Sequence, residues 1–192
     1  MRTLGRAPVR AVLALCLLAS HSEASVAWEK VAGAPGGEVL SLAAKGSDLA
    51  VANRLWLPGE SGRHVLALRS EGSWEALPLP APAEGRGNPS YTAVALTPER
   101  LFVAESSAQG GGMAIRLLSW DRAARCWSAL TFVPMSNAYV KVVAMEALDD
   151  GLLLLTSSCQ LTRWNGSSFV TPEGWPSASF QQASCEAPFV HD

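Results

Sequence analysis

An aromatic residue that opens a short strand-like run recurs along the chain, and this period most constrains the fold. It stands at Trp28, Trp74, Trp127 and Phe169, at spacings of 46, 53 and 42 residues. Between these positions the same order of apolar runs and turns repeats. Self-similarity over about 40–50 residues is typical of propellers and other repeat arrays. In such folds the repeat is scaffold, and we therefore look for function in the loops.

Each repeat begins with two apolar runs joined by a turn. In the first repeat, residues 39–42 lead through a Lys-Gly-Ser-Asp turn to residues 49–52. The same pattern recurs at residues 93–104 and 140–155. Gly, Pro and Asp supply the backbone angles that a tight reversal needs. Because these runs are almost continuously apolar, they predict strands buried on both faces, as in the inner part of stacked sheets.

The second pair of runs in each repeat is more polar and alternates more. In the third repeat it passes through Asn165-Gly166, the strongest hairpin signal in the chain. Alternation is expected of an outer strand with one face in water. Four strands graded from apolar to polar form a propeller blade. The sequence therefore predicts an all-β fold of four-stranded antiparallel blades, stacked as a partial β-propeller of about three blades plus stray strands.

The predicted blades do not fill a complete propeller. The units cover about residues 28–73, 74–126 and 127–168, followed by a partial unit at 169–192. Propellers have at least four blades, and unpaired strand edges favour aggregation. Three interpretations remain open: a fragment of a longer protein, self-association through open blade edges, or an open sandwich.

Two hairpins resemble a family of propellers. Trp120-Asp121 followed by Trp127, and Trp164-Asn165 followed by Phe169, look like the third-to-fourth-strand hairpin of kelch-like and galactose-oxidase-like propellers. The resemblance covers roughly residues 27–185 and implies a propeller fold. The kelch double glycine after the second strand is absent.

A second resemblance is to the sialidase Asp-box. Thr162, Gly166 and Phe169 have its spacing, but Trp164 occupies the position of the Asp. Neither resemblance implies a catalytic residue in this chain.

The N-terminus has the three-part pattern of a secretory signal peptide. Three Arg residues precede an apolar run at residues 11–19, and Ser22-Glu23-Ala24 offers a small-x-small cleavage pattern. Cleavage after Ala27 is an alternative, as is an uncleaved N-terminal anchor or a buried helix. We expect residues 1–24 to be a signal peptide and residues 25–192 to be a secreted, periplasmic or cell-surface protein. The run is shorter than the roughly 20 residues that span a bilayer.

Charge and cysteine content exclude some partners. Loss of residues 1–24 removes three Arg and one Glu, leaving 12 basic and 16 acidic residues, a net charge of −4. An acidic chain without a basic run argues against nucleic acid as a partner.

The cysteines predict one disulfide. Of the remaining Cys126, Cys159 and Cys185, we expect Cys159 and Cys185 to form a disulfide. No CxxC or Cys/His cluster is present, so we expect neither a metal nor another cofactor. Arg outnumbers Lys, and Ala and Gly are abundant, which is typical of a GC-rich bacterial genome.

No set of residues predicts an active site. After signal removal only His64 and His191 remain as imidazoles, and no G-x-S-x-G nucleophile motif exists. His64 is interpreted as a strand-edge surface residue. Tyr91 and Tyr139 begin inner strands, where packing is expected. The Asp-Asp-Gly sequence at 149–151 is interpreted as a turn, since the alternating oxygen ligands of a calcium loop are missing.

The loops of one rim are the better candidates for function. In a blade array, connections between units and loops between second and third strands lie at the same end. Trp and Arg are typical binding anchors, although Trp56 and Trp175 could instead cap the blade packing. The candidate ligand-binding residues are Arg54, Trp56, Arg86, Asn88, Gln109, Asn137 and Trp175.

The sequence therefore predicts a propeller-type interaction module for a protein or glycan ligand. Two alternatives stay open. The chain could be the N-terminal part of a propeller hydrolase or oxidase whose catalytic residues lie in further blades. It could also be a purely structural envelope protein, for which no rim substitution would affect a binding partner.

Overall fold

The computed structural model describes residues 36–55, 62–83, 87–109, 112–133 and 140–173, with only the backbone of Gln109. Twelve β-strands lie in these ranges. They are β1 (Glu38–Lys45), β2 (Asp48–Leu55), β3 (Arg63–Ser70), β4 (Ser73–Leu77), β5 (Ser90–Leu96), β6 (Arg100–Gln109), β7 (Gly112–Asp121), β8 (Cys126–Phe132), β9 (Val142–Leu148), β10 (Gly151–Thr156), β11 (Leu161–Trp164) and β12 (Phe169–Val170).

The strands form three separate four-stranded sheets. Each sheet is an antiparallel meander in chain order: β1 to β4, β5 to β8, and β9 to β12. We call these sheets blades 1, 2 and 3. The all-β fold class and the two hairpins predicted for each repeat are confirmed.

The first strand of each sheet lies at the centre of the assembly. Strand β5 contacts β1 and β2 of blade 1 on one side and β9 of blade 3 on the other. Strand β1 also contacts β9. Three meanders with their first strands gathered together are three consecutive blades of a partial β-propeller.

Two apolar cores hold the blades together. One lies between blades 1 and 2 and contains Leu66, Val103 and Trp120. The other lies between blades 2 and 3 and contains Ile115 and Leu152. Because side chains alternate along a strand, blade 2 supplies one set to each core. Blade 2 is therefore buried on both faces, which explains the nearly continuous apolar runs of its inner strands.

Strand β1 departs from the prediction for inner strands. Its apolar run was expected to be buried on both faces, yet Val39 is 53% and Leu42 is 59% exposed. Their cross-strand partners in β2 lie on the opposite face of the sheet from the core residues Ala50 and Ala52. Both residues therefore lie on the face turned away from blade 2. No described blade covers that face. On blade 3, Leu148 and Val170 are exposed in the same way, at 36% and 42%.

The two ends of the blades differ in their connections. At one end, the rim end, β2 and β6 finish and β1 and β5 begin. At the opposite end lie the tight turns within the hairpins. Asp121 Oδ1 accepts hydrogen bonds from the amides of Ala123 and Ala124 at 3.0 and 2.8 Å. Asn165 Oδ1 accepts in the same way from Ser167 and Ser168.

The aromatic period coincides with the hairpins at this opposite end. Trp120 pairs across the strands with Trp127, and Trp164 pairs with Phe169. Gly151 is required in its turn, because a Cβ there would lie 2.0 Å from the carbonyl oxygen of Trp164. Trp28 and the two predicted stray strands lie outside the described residues.

Candidate functional site

Each blade has a β-bulge in its first strand near the rim end. The extra residues are Leu40 in blade 1, Thr92 in blade 2 and Val143 in blade 3. A bulge redirects the strand and terminates regular pairing. In each blade, the residue just before the bulge, which is Val142 in blade 3, pairs with a residue of the second strand. The three second-strand residues are thus in equivalent positions. These residues, Asn53, Glu105 and Thr156, are all polar and at most 2% exposed.

The three equivalent residues make different contacts. Asn53 Nδ2 donates to the carbonyl of Gly36 at 3.3 Å. Thr156 Oγ1 accepts from the amide of Gln160 at 3.1 Å and so closes the loop between β10 and β11. Glu105 alone is charged. The residue at this place is therefore polar in all three blades, and only that of blade 2 is charged.

Glu105 is held in a bidentate ion pair. Arg116 Nε and Nη2 donate to its two carboxylate oxygens at 3.1 and 2.8 Å. The side chains of Arg116 and Glu105 are 11% and 1% exposed. Arg116 Nη2 also donates to the carbonyl of Ala81 at 2.8 Å. Bidentate pairing fixes both groups in one geometry and gives the buried carboxylate the partners that it needs.

Three further groups converge on this ion pair from two blades. Tyr91 is the direct cross-strand partner of Glu105 and packs in the core between blades 1 and 2. Arg54 and His64 are cross-strand partners in blade 1. Each lies two positions along its strand from a core residue, Ala52 or Leu66, and therefore on the same face as that residue. This face is turned toward blade 2. We call Arg54, His64, Tyr91, Glu105 and Arg116 the polar corner.

His64 and Tyr91 join the two blades within the polar corner. Their rings meet edge to face, with centroids 5.8 Å apart. Nδ1 of His64 and the hydroxyl of Tyr91 are buried and have no hydrogen-bond partner. A buried polar group without a partner costs about 1–3 kcal/mol. Both groups therefore hold unused hydrogen-bonding capacity at the boundary between blades.

The polar corner also shifts the titration of its members. Burial, and then the charge of Arg54, lower the pKa of His64 below its usual 6.5. Burial, and then the charge of Glu105, raise the pKa of Tyr91, against the opposing effect of Arg116. At neutral pH the imidazole is neutral and the phenol is protonated.

The connection from blade 1 to blade 2 crosses the strands of blade 2 in order. The carbonyl of Pro78 accepts from Trp127 Nε1 of β8 at 2.7 Å. Ala81 accepts from Arg116 of β7. The amide of Gly87 donates to Ala108 of β6 at 3.3 Å, just before β5 begins. The connection therefore runs beside the polar corner, from the outer strand to the inner strand of blade 2.

The structure brings some of the predicted rim residues together. Arg54 belongs to the polar corner, where it also covers Gly62, whose Cβ position would lie 2.6 Å from Arg54 Nε. Asn88 is exposed, and the bond between Gly87 and Ala108 places it near the backbone of Gln109. The other predicted residues lie outside the described ranges: Trp56, Arg86, Asn137 and Trp175.

Sequence reasoning missed most of the polar corner. The interpretation of His64 as a strand-edge surface residue was wrong, because its ring packs on Tyr91 between two blades. Tyr91 is buried as expected, but its hydroxyl is unpaired. A signal for Glu105 existed in the sequence: in every repeat the second apolar run ends in a polar residue at the same place. No periodicity predicts that Arg116, on the next strand, reaches it.

The cysteines are partly described. Cys126, the first residue of β8, is an exposed free thiol. Cys159 is disulfide-bonded. Cys185 lies outside the described residues, so its pairing with Cys159 stays a prediction.

Within the described ranges, no group of three or more His, Cys, Asp or Glu side chains is arranged to hold a metal ion. No helix in this part of the chain has the length and apolar character to cross a membrane.

Comparison with known proteins gives a likeness of fold. No protein-family model matches the chain, and no curated protein matches it. Among solved structures, that of YCF48 bound to D1 peptide is similar, with 11% sequence identity and a TM-score of 0.48. The matched region covers 70% of this chain and 40% of that one. The chain thus spans less than half the length of that protein, and the likeness concerns the fold alone.

Proposed function

We propose that this chain is an exported propeller-type module that binds a protein or glycan ligand at the rim end of its blades. The observation that supports this most is the polar corner. It holds two buried polar groups without a hydrogen-bond partner, Nδ1 of His64 and the hydroxyl of Tyr91, where two blades meet. Such groups lower the stability of the folded protein, and they are commonly found where function requires them.

The contrast with the opposite end supports the same choice of face. There, Arg122 reaches Asp48 at 2.6 Å, Ser70 at 3.0 Å and the carbonyl of Pro98 at 2.7 Å. Its hydrogen-bonding capacity is used inside the protein. A ligand gains little from groups that are already paired, whereas unpaired groups reward it with new hydrogen bonds.

The binding proposal is tested by comparing variants at the two ends. The full chain, Arg54→Gln at the rim end and Arg100→Gln at the opposite end are immobilised and exposed to the extracytoplasmic fraction of the source cells and to a glycan array. Both substitutions remove one positive charge, and Arg100 is exposed. We expect one bound species that Arg54→Gln loses and Arg100→Gln retains. Equal retention by both variants would contradict a rim-end site.

Export rests on the N-terminal pattern and has its own test. Residues 1–27 are fused to a reporter enzyme that folds only outside the cytoplasm. We expect activity from the natural segment and none when Leu13 and Leu17 are replaced by Arg, since charge in the apolar run blocks a signal peptide. Equal activity from both fusions would overturn the export proposal.

Self-association through the outer blades is part of the proposal. Val39 and Leu42 expose apolar surface on blade 1, and Leu148 and Val170 expose it on blade 3. Exposed apolar patches of this kind mark interaction surfaces. We expect light scattering to show a mass that rises with concentration and falls to that of a monomer in the double variant Val39→Lys, Leu42→Lys. A monomer at every concentration would remove this part of the proposal.

A further inference from the structure

The outer faces of blades 1 and 3 are the two sheet faces that no described blade covers. Val39 and Leu42 are exposed on the outer face of blade 1, and Leu148 and Val170 are exposed on that of blade 3. Exposed apolar side chains grouped in this way mark interaction surfaces. Each of these sheets packs its other face against blade 2, so each outer face is suited to pack against a further blade.

The strand register shows which kind of contact the outer face of blade 1 is built for. Leu42 lies two residues after the bulge of its strand, as Val94 does in blade 2. Trp74 pairs at the same place in its hairpin as Trp127 of blade 2. Val94 belongs to the core between blades 1 and 2, and Trp127 packs on it. The outer face of blade 1 is therefore equivalent to the face with which blade 2 packs on the preceding blade.

Two buried donors on this outer face have no acceptor. Nε of Arg69 and Nε1 of Trp74 are buried and have no hydrogen-bond partner among the described residues. In blade 2, the equivalent Trp127 donates from Nε1 to the carbonyl of Pro78, directly after the last strand of the preceding blade. In blade 3, residues 171–173 follow the last strand in the same way. A copy of blade 3 placed against blade 1 would therefore bring backbone acceptors to Trp74.

Opposite charges replace apolar residues at equivalent positions of the two outer faces. Trp120 of blade 2 is buried in the core between blades 1 and 2, and Ala43 of blade 1 packs against this core. Arg69 on the outer face of blade 1 stands at the position of Trp120. On the outer face of blade 3, the exposed Glu146 stands at the position of Ala43. The two faces are thus complementary in charge as well as apolar.

The number of blades decides how many copies can close a ring. The described residues form three blades, and propellers typically have about four to eight. Two copies together have twice three, or six, blades, whereas three copies would have nine. A contact between unlike faces forms a ring when the rotation closes and a filament when it does not.

We propose that two copies of this chain pack blade 1 of each against blade 3 of the other and close a six-bladed propeller. In each of the two interfaces, Arg69 of one copy lies near Glu146 of the other, and Trp74 lies near the carbonyls that follow β12. The inference rests on the self-association in the proposed function and names its faces and stoichiometry. Because the twofold axis is also the ring axis, both polar corners lie on the same rim.

The first test is the mass of the full chain by analytical ultracentrifugation over a wide range of concentration. We expect monomers and dimers and no larger species, because the ring leaves no face free. A mass that grows beyond the dimer would overturn the closure. A monomer at every concentration would overturn both the ring and the proposed self-association, whereas ligand binding at the rim end has its own separate test.

The second test asks whether unlike faces meet. Leu42→Lys and Val170→Lys each damage one face, and each variant alone should be a monomer because both interfaces of its dimer would contain the substitution. A mixture of the two variants should form dimers again, since one of the two interfaces is then natural. The measurement is retention of fluorescently labelled Val170→Lys by tagged Leu42→Lys. A dimer that survives Val170→Lys alone would contradict the ring, and self-association through like faces would stand.

The third test reverses the charges that meet across the interface. Arg69→Glu and Glu146→Arg should each weaken the dimer by about tenfold or more, since like charges then face each other. Both substitutions in one chain should restore its dissociation constant to near the natural value. Arg100→Glu, an exposed position on blade 2, is the matched control and should change little. Far-ultraviolet circular dichroism shows that each variant is folded. A double variant as weak as the single ones would contradict the proposed orientation.

Discussion

The two ends of the interface between blades 1 and 2 use the same kinds of side chain in opposite ways. At the opposite end, Arg122 and Arg125 of blade 2 bind Asp48 and Glu75 of blade 1. At the rim end, Arg116 binds Glu105 within blade 2, and the groups that meet across the interface, His64 and Tyr91, touch without a hydrogen bond. Ion pairs fasten the blades at the opposite end, whereas the two rings that face each other at the rim end only pack. Between these two places the amide of Val94 donates to Ser41 Oγ across the same interface at 3.0 Å.

From this difference we expect the opposite end to contribute stability and the rim end to contribute function. Charge-assisted hydrogen bonds between blades restrict relative movement at the opposite end. At the rim end, the two groups that meet across the blades, Nδ1 of His64 and the hydroxyl of Tyr91, are both unsatisfied, which lowers stability there. Unsatisfied atoms also occur at the opposite end, on Arg69 and Trp74, but these lie on the face of blade 1 turned away from blade 2. Sites where polar groups are left unpaired are frequently functional sites. The following predictions test this division, from the largest expected effect to the smallest.

Removal of Trp127 should cause the largest loss of stability. Its ring packs on the core between blades 1 and 2, with its centroid 5.2 Å from that of Trp120, and its Nε1 donates to Pro78. We expect Trp127→Ala to lower the free energy of unfolding by about 3 kcal/mol, the lower end of the range for truncated aromatic residues, because its ring is only partly buried. Denaturant unfolding followed by tryptophan fluorescence measures this.

The control is the equivalent residue of blade 1. Trp74 stands at the same place in its outer strand, but it pairs with Arg69 on the face turned away from blade 2. Trp74→Ala should therefore cost clearly less than Trp127→Ala. A loss below about 1 kcal/mol for Trp127→Ala would contradict the packing of its ring on the core between the blades, because truncation of a packed aromatic ring costs more.

Removal of Arg122 should have the next largest effect. Its side chain and that of Asp48 are 18% and 19% exposed, and it reaches three acceptors from two blades. We expect Arg122→Met to lower the free energy of unfolding by about 1.5–3 kcal/mol, the range for hydrogen bonds to charged groups.

Arg163→Met is the matched control for Arg122. Arg163 pairs with Asp150 within blade 3, and their side chains are 34% and 68% exposed. Exposed ion pairs contribute roughly 0–1 kcal/mol, so the control should change little. Equal losses in urea melts of the two variants would mean that Arg122 does not fasten the blades.

The sequence predicted the scaffold well and the polar corner poorly, for physical reasons. Strands, turns and the pairing of Trp120 with Trp127 follow from local alternation and turn chemistry, which are visible within about ten residues. The corner joins Arg54 and His64 to Tyr91 across two blades. Its assembly depends on strand register and on bulges, and a shift by one residue would move each side chain to the other face.

Tyr91→Phe, at the rim end, should not lower the free energy of unfolding, in contrast to the substitutions at the opposite end. The hydroxyl of Tyr91 is buried without a partner, so its removal relieves a cost rather than breaking a bond. We expect thermal unfolding to show stability that is unchanged or higher by about 1 kcal/mol. A clear loss of stability would show that the hydroxyl is bonded within the protein and would remove it from the proposed site.

The smallest expected effect is a dependence of stability on pH that passes through His64. The pKa of folded His64 is lowered below the usual 6.5 by burial and by the charge of Arg54. Between the lowered value and 6.5 the unfolded chain binds more protons than the folded one, so the free energy of unfolding rises with pH. The contribution of the neutral imidazole is thus fully present above pH about 6.5 and is lost as the pH falls through the lowered value.

Comparison with a variant isolates this contribution from other titrating groups. Urea unfolding of the natural chain and of His64→Gln is measured at about pH 7.5 and about pH 5, on either side of the usual imidazole pKa, and the natural chain should lose more stability between the two. Because His64 is only half-buried, solvent screens its charge and the difference should be modest. Identical pH dependence in the two proteins would mean that protonated His64 is solvated at the rim end. The rim end would then be as open as a surface loop, and the separation between a fastened end and a packed end would have to rest on Tyr91 alone.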